Sequence, residues 1–181
     1  VEKQRSAGAD FVKIMISGIM DFDRFGVLSE PGMDPGEIRQ VISAAKARGM
    51  SVMAHANGAE TVRAAAEAGV DTVEHGAYLN RDALQACADN GVIWVPTLSA
   101  IGNLRGKGRF SEPDVERILA SAMENVALYA SMGGLIAPGT DAGAWAVPHG
   151  SLTEYALLKE CLGSGWETLL ERGARALEAR F

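Results

Sequence analysis

Residues 49–58, GMSVMAHANG, decide how the whole chain reads. A glycine stands where a helix stops, a short apolar run follows, and the run ends in a polar cluster that carries His55. Glycine after a helix admits the left-handed backbone that closes the last turn. The same punctuation occurs at Gly8 before ADFVKIMI, at Gly69 before VDTVEH, at Gly91 before VIWVPTL and at Gly134 before LIAPGTD. These runs are short, rich in β-branched residues and apolar on both faces. Buried parallel strands read this way because helices cover them.

The segments between the runs are helical. Asp34 precedes Pro35 and stands three residues before Glu37, the pattern of a capping box with proline in the first turn. Ile38, Val41, Ile42 and Ala45 then form one apolar face. An alanine-rich helix follows over about 59–68. Asn80 is placed to cap a third helix, with Leu84 and Cys87 inside. A long fourth begins near Ser111 and Pro113, a fifth covers about 152–162, and residues 166–180 are helical. Strand and helix alternate, so the class is α/β with a parallel sheet. Five such units suit an open doubly wound sheet or part of an eight-stranded barrel. No GxGxxG and no GxxxxGK[ST] is present, which removes the usual support for dinucleotide or P-loop chemistry.

Composition narrows the function. The 181 residues suffice for one domain, and 48% hydrophobic residues can build its core. A net charge of −6 with no basic run argues against nucleic acid as a partner. No apolar stretch is long enough to span a membrane. Cys87 and Cys161 are far apart and form no CxxC; free, buried thiols fit a reducing, cytoplasmic setting. The chain does not begin with Met, and VEKQRSAGAD reads like the tail of a helix, so the true N-terminus is expected upstream.

Counting from each glycine reveals a second regularity. Lys13 lies five residues on, His55, His75 and Thr97 six, and Asp141 seven. In a parallel barrel these strand ends point to one mouth, where active sites are built. Each residue alone has a plain structural reading: a strand-end histidine, a snorkelling Lys13, a helix-capping Asp141. Together they form a set suited to a divalent ion, since neutral imidazoles and a carboxylate are good ligands for zinc and similar metals.

The ordered motifs V-K-I (12–14), A-H-A-N-G-A-E (54–60), V-E-H-G (73–76), V-P-T-L (95–98) and G-T-D-A-G (139–143) resemble the amidohydrolase superfamily. They are most similar to its imidazolonepropionase-like and Xaa-Pro dipeptidase-like (prolidase-like) branch. The resemblance implies a TIM-like (β/α) barrel, with this chain supplying barrel strands 4–8 as a single partial domain over 1–181. Strands one to three and the usual β-sandwich are expected to be absent. It implies a metal-dependent hydrolase that attacks carbon–nitrogen bonds of small amide, cyclic amide or dipeptide substrates through metal-activated water, with one or two ions in the parent protein. Lys13 would be the carboxylated lysine that bridges two metals. His55 and His75 would bind the second, and Asp141 would bind the first and move the proton. His149, in V-P-H-G, would face substrate. The family's first-strand His-x-His is missing, since the histidines are His55, His75 and His149 alone. The competing expectation is a barrel fragment or binding module that retains vestigial ligands, whose unpaired strand edges would favour self-association.

Overall fold

A computed structural model of the chain describes residues 1–143 and 146–181. Four of the helix-stopping glycines have the left-handed backbone that their positions require: Gly8 (φ 85), Gly49 (φ 69), Gly69 (φ 88) and Gly91 (φ 61). The fifth unit corrects the sequence reading. Gly133 (φ 81) takes the left-handed turn, whereas Gly134 is needed for space, because a Cβ there would run into the Tyr129 ring.

The elements are α1 (Glu2–Ser6), β1 (Phe11–Met15), α2 (Pro35–Lys46), β2 (Ser51–Ala56), α3 (Ala59–Glu67), β3 (Thr72–His75) and α4 (Arg81–Asp89), then β4 (Ile93–Val95), α5 (Leu98–Gly102), α6 (Glu112–Ser131), β5 (Leu135–Ile136), α7 (Thr153–Leu162) and α8 (Trp166–Glu178). All five expected strands form. They pair in the order β1-β2-β3-β4-β5, parallel throughout, with β1 and β5 at the edges. The sheet is not closed, as a partial TIM-like barrel requires. The short α5, directly after β4, is an addition to the sequence reading.

Helix starts follow local chemistry. Asp34 Oδ1 accepts from Gly36 N at 2.7 Å while Glu37 Oε2 accepts from Asp34 N, completing the capping box. Asn80 Oδ1 accepts from Ala83 N at 3.0 Å. Ser111 precedes α6 but makes no side-chain cap; its hydroxyl donates to Asp114 instead. The outer layer buries Ile38 and Ile42 of α2, Val62 and Ala65 of α3, Leu84 and Cys87 of α4, and Ile118, Val126 and Tyr129 of α6. Burial lifts the Cys87 thiol to about 12 and that of the half-buried Cys161 to about 11, so neither is an activated nucleophile. Among the described residues no helix is long and apolar enough to cross a membrane.

The strands are not covered on both faces along their whole length, contrary to the sequence reading. On β1 Val12 is buried, but Phe11 is 37% and Met15 64% exposed. Alternate residues face opposite sides, and the inner face of an unclosed barrel wall stays open at this edge. At the other edge α8 provides cover: Ile93, Val95 and Ala137 pack with Ala176 and Leu177, separately from the core that holds Trp94. The end of the chain then crosses the N-terminal ends of the strands. Ser51 Oγ donates to Arg180 O at 2.6 Å, and the Arg180 guanidinium donates to Asp71 Oδ1 at 3.2 Å and Gly91 O at 3.1 Å. Asp71 also pairs with Lys46 and accepts from Val52 N at 2.8 Å. Phe181 meets Phe11 edge-on, with ring centroids 5.3 Å apart.

Gly173 is where α8 approaches β5, and a Cβ there would collide with the Ile136 carbonyl. Gly173→Ala is therefore expected to lower stability by about 1–3 kcal/mol, the usual penalty of overpacking. Urea unfolding measures it; a midpoint equal to wild type would mean that the α8–β5 approach does not persist in solution.

Candidate active site

The register brings the polar strand ends together. Met15 pairs with His55, and Ala56 with His75, so the two histidines end adjacent strands at neighbouring levels. Their rings lie 4.5 Å apart, centroid to centroid, at 62°. His75 (φ 70), Thr97 (φ 50) and Asp141 (φ 52) all adopt left-handed backbone, as does Tyr78 (φ 60). Such conformations are costly for residues other than glycine, most of all for a β-branched one such as Thr97, and they gather at functional sites.

Each imidazole has one nitrogen engaged by its surroundings. His55 Nε2 lies 3.3 Å from the Gly18 carbonyl, on the segment that follows β1. Asn57, fully buried, organises that contact: its Oδ1 accepts from Ala77 N at 2.9 Å, its Nδ2 donates to Gly18 O at 3.0 Å, and its own amide donates to Ser17 Oγ at 2.7 Å. Asn57 Nδ2 also lies 3.3 Å from His55 Nε2. With Nε2–H directed at the carbonyl, His55 Nδ1 keeps its lone pair. His75 Nδ1 lies 2.7 Å from Thr97 Oγ1; with Nδ1–H donated there, Nε2 keeps its lone pair. The His75 carbonyl accepts from Trp94 Nε1 at 3.0 Å. Burial is the main force holding both imidazoles below their ordinary range. For His55 the Lys13 charge adds to it, and the Gly18 contact and Asp141 oppose it. For His75, His55 and Lys13 add to burial and the value falls to about 3. Both rings are therefore neutral near pH 7, the state that binds metal.

A cavity of about 350 Å³ is lined by Lys13, His55, Asn57, His75 and Asp141. Met15, Ile19, Met20 and Phe22 supply an apolar wall. That wall hangs on the β1–α2 segment, which is fastened to α6. Phe25 N donates to Asp114 Oδ1 at 3.1 Å, Ser111 N donates to Asp23 Oδ1 at 2.7 Å, and Phe22 packs on Phe110 with centroids 5.2 Å apart. A hollow of about 430 Å³ between Glu60, Arg63, Asn80 and Asp82 includes none of the strand-end residues.

Lys13, His55, His75 and Asp141 thus share one cavity, whereas His149 is exposed on the turn after Asp141 and is not among the lining residues. Lys13 and Asp141 are themselves exposed, because the inner face is open. Among the described residues no three His, Cys, Asp or Glu side chains gather closely enough to hold a metal ion. The two neutral imidazoles are the ligand type that suits a borderline ion such as zinc, and Lys13 and Asp141 line the same cavity. Two residues of the matching motifs escaped the sequence reading. Asn57 lies within the quoted A-H-A-N-G motif, and only its buried contacts give it a role. Glu74 precedes His75, accepts from Thr72 Oγ1 at 2.6 Å and has its carboxyl raised chiefly by burial; the signal for it was its place in V-E-H-G.

An open parallel βα wall with His55 and His75 at C-terminal strand ends and Asp141 in the loop beyond β5 defines a protein of the (β/α)-barrel class. The chain belongs to the amidohydrolase family, whose profile matches residues 1–181. It is similar to an uncharacterised protein of Mycobacterium tuberculosis, 28% identical over 149 residues that cover 79% of this chain and 40% of that protein. It is also similar to ochratoxinase of Aspergillus niger, 28% identical over 102 residues that cover 56% of this chain and 21% of that enzyme. Among solved structures it superimposes on a Xaa-Pro dipeptidase with methionine in its active site, with a TM-score of 0.80 and 28% identity over 99% of this chain and 46% of that one. The chain therefore spans less than half the length of each of these proteins.

One fully buried carboxyl lies against the start of α5. Glu154 of α7 is 0% exposed, and burial pushes its carboxyl from the ordinary 4.5 to about 7, against the opposing pull of amide donors from α5. Its charge in turn raises the thiol of Cys161. A carboxyl whose folded value is raised stabilises the fold as the neutral acid; that contribution is full below about pH 4.5 and lost as pH rises through about 7. Wild-type protein should thus lose stability between these limits relative to Glu154→Gln, which cannot ionise. Urea midpoints across the range test this, and parallel profiles for the two proteins would contradict it.

Proposed function

We propose that this chain carries the metal-holding wall of a hydrolase acting on carbon–nitrogen bonds of amides, cyclic amides or dipeptides, in the imidazolonepropionase-like and Xaa-Pro dipeptidase-like branch of its family. The observation that carries the reading is the pair of neutral imidazoles 4.5 Å apart, in one cavity with Lys13 and Asp141. His55 and His75 would hold a divalent ion such as zinc through the ring nitrogens not engaged by Gly18 and Thr97. Lys13, were its neutral amine to add carbon dioxide and release a proton to form a carbamate, would be the third donor on this wall. Asp141 completes the set, accepts a proton from the attacking water and returns it to the leaving nitrogen. When bound, the ion supplies Lewis acidity toward the carbonyl and lowers the pKa of water.

The wall of Met15, Ile19, Met20 and Phe22 favours substrates with an apolar side chain beside the scissile bond. The methionine held by the similar dipeptidase agrees with that preference. His149 is assigned to substrate contact from the turn after Asp141. A second reading, a binding module with vestigial ligands, draws on the exposure of Lys13 and Asp141.

Dipeptides and N-acyl amino acids with apolar side chains are the substrates to assay, with elemental analysis after dialysis for zinc. His55→Ala is expected to lose both zinc and turnover. Asp141→Asn should lower turnover by at least about a hundredfold, the scale of a lost proton-transfer group. Wild-type rates in both variants would defeat the hydrolase assignment, and zinc bound without turnover would favour the binding module.

A further inference from the structure

Thr97 occupies the N-cap position of α5, yet its side chain makes no cap hydrogen bond. Its Oγ1 is committed to His75 Nδ1 instead. An N-cap residue ordinarily supplies the acceptor for the first free helix amides, and buried amides without an acceptor are costly. Leu98 and Ser99, which carry those amides, are fully buried.

The missing acceptor comes from a distant part of the chain. Glu154 Oε2 accepts from Ser99 N at 2.6 Å. Ser99 Oγ in turn donates to Thr140 O at 2.9 Å, one residue before Asp141. The other carboxylate oxygen, Oε1, is buried without a hydrogen-bond partner among the described residues, as is Asn103 Nδ2, whose Oδ1 accepts from Thr153 Oγ1 at 2.9 Å. Packing alone would be better served by an apolar residue at 154, since burying a carboxyl with one oxygen unpaired is costly. An acceptor of this reach at this place is therefore a requirement of α5, not of the core.

We propose that Glu154 is a positioning residue of the site: it takes over the capping of α5, which leaves the Thr97 hydroxyl to hold the His75 ring, and through Ser99 it ties the end of β4 to the turn that carries Asp141. Its effect on metal affinity rests on the function proposed above; its effect on the two loops does not. Removal of the acceptor leaves the Ser99 amide and His75 Nδ1 competing for the one Thr97 hydroxyl, which loosens both the start of α5 and the hold on the ring.

The test compares Glu154→Gln, which keeps a neutral acceptor at the same reach, with Glu154→Leu, which removes it. In the leucine variant, amide exchange at Ser99 is expected to rise at least about tenfold, as in local opening, while residues 51–56 and 72–75 exchange as in wild type. Zinc affinity, read by chelator competition, is expected to fall about 10–100-fold, the usual effect of losing an outer-shell partner. The ¹⁵N spectrum should report a changed His75 tautomer ratio. The glutamine variant should restore all three. Should the leucine variant fail to fold, Glu154→Asp, one methylene short, is expected to show the same loosening. Wild-type exchange at Ser99 in Leu or Asp, exchange raised evenly across the sheet, an unaltered His75 tautomer ratio, or a glutamine variant no better than leucine would each overturn the proposal. Wild-type protein that binds no zinc would defeat the metal reading alone, and exchange and tautomer would then decide the role of Glu154.

Discussion

Parallel pairing is the constraint on which the site depends. A strand that returns through a helix must enter the sheet in the same direction as the one before it, so every strand ends at the same edge. Lys13, His55, His75 and Asp141 come from segments spread over most of the chain, yet they line one cavity because β1 to β5 share a direction and a fixed register. The opposite edge is handled differently. There Asp71, Lys46 and Arg180 fasten the end of the chain beneath the strands, away from the cavity. This division between a stabilising bottom and a chemical top is the general habit of barrel architecture.

The top edge carries the strained part of the molecule. Left-handed backbone at His75, Thr97 and Asp141 turns each side chain away from the course its strand would give it. Three such residues on one rim need restraint from outside their own loops. Trp94 holds the His75 carbonyl, Asn57 clasps Gly18 and Ala77 around His55, and Glu154 holds the start of α5. Hydrogen bonds with the side chains of Trp94, Asn57 and Glu154 thus restrain the backbone around the cavity. That restraint is what a preorganised site requires.

The β1–α2 segment joins the two layers of this arrangement. One end supplies the Gly18 carbonyl to His55, and the other carries Phe22 and Phe25 onto the start of α6. Between them it hangs an apolar wall beside the polar side chains of the cavity. A single segment therefore influences both the orientation of a histidine and the shape of the space in front of it.

Much of the fold was legible because its signals are local. A glycine that stops a helix, a short β-branched run and a capping box such as Asp34–Glu37 each act within a few residues, and counting from the glycines located His55 and His75 at strand ends, whereas Lys13 lies in the middle of β1 and Asp141 in the loop beyond β5. Asn57 and Glu74 were visible in the quoted motifs but had no role to read, because a role needs a partner. The sequence by itself determined the alternation of strand and helix and the common edge of the polar residues, since both follow from short-range periodicity and the geometry of parallel connections. Only the tertiary structure decided which nitrogen of each imidazole meets a protein partner, that α8 covers the inner face at β4, and that the Ser99 amide of α5 is held from α7. Those contacts join residues 37 apart for His55 and Gly18, 55 apart for Ser99 and Glu154, and 129 apart for Ser51 and Arg180. No local pattern encodes a hydrogen bond across such distances; it forms where packing of the whole sheet and its helices brings donor and acceptor together.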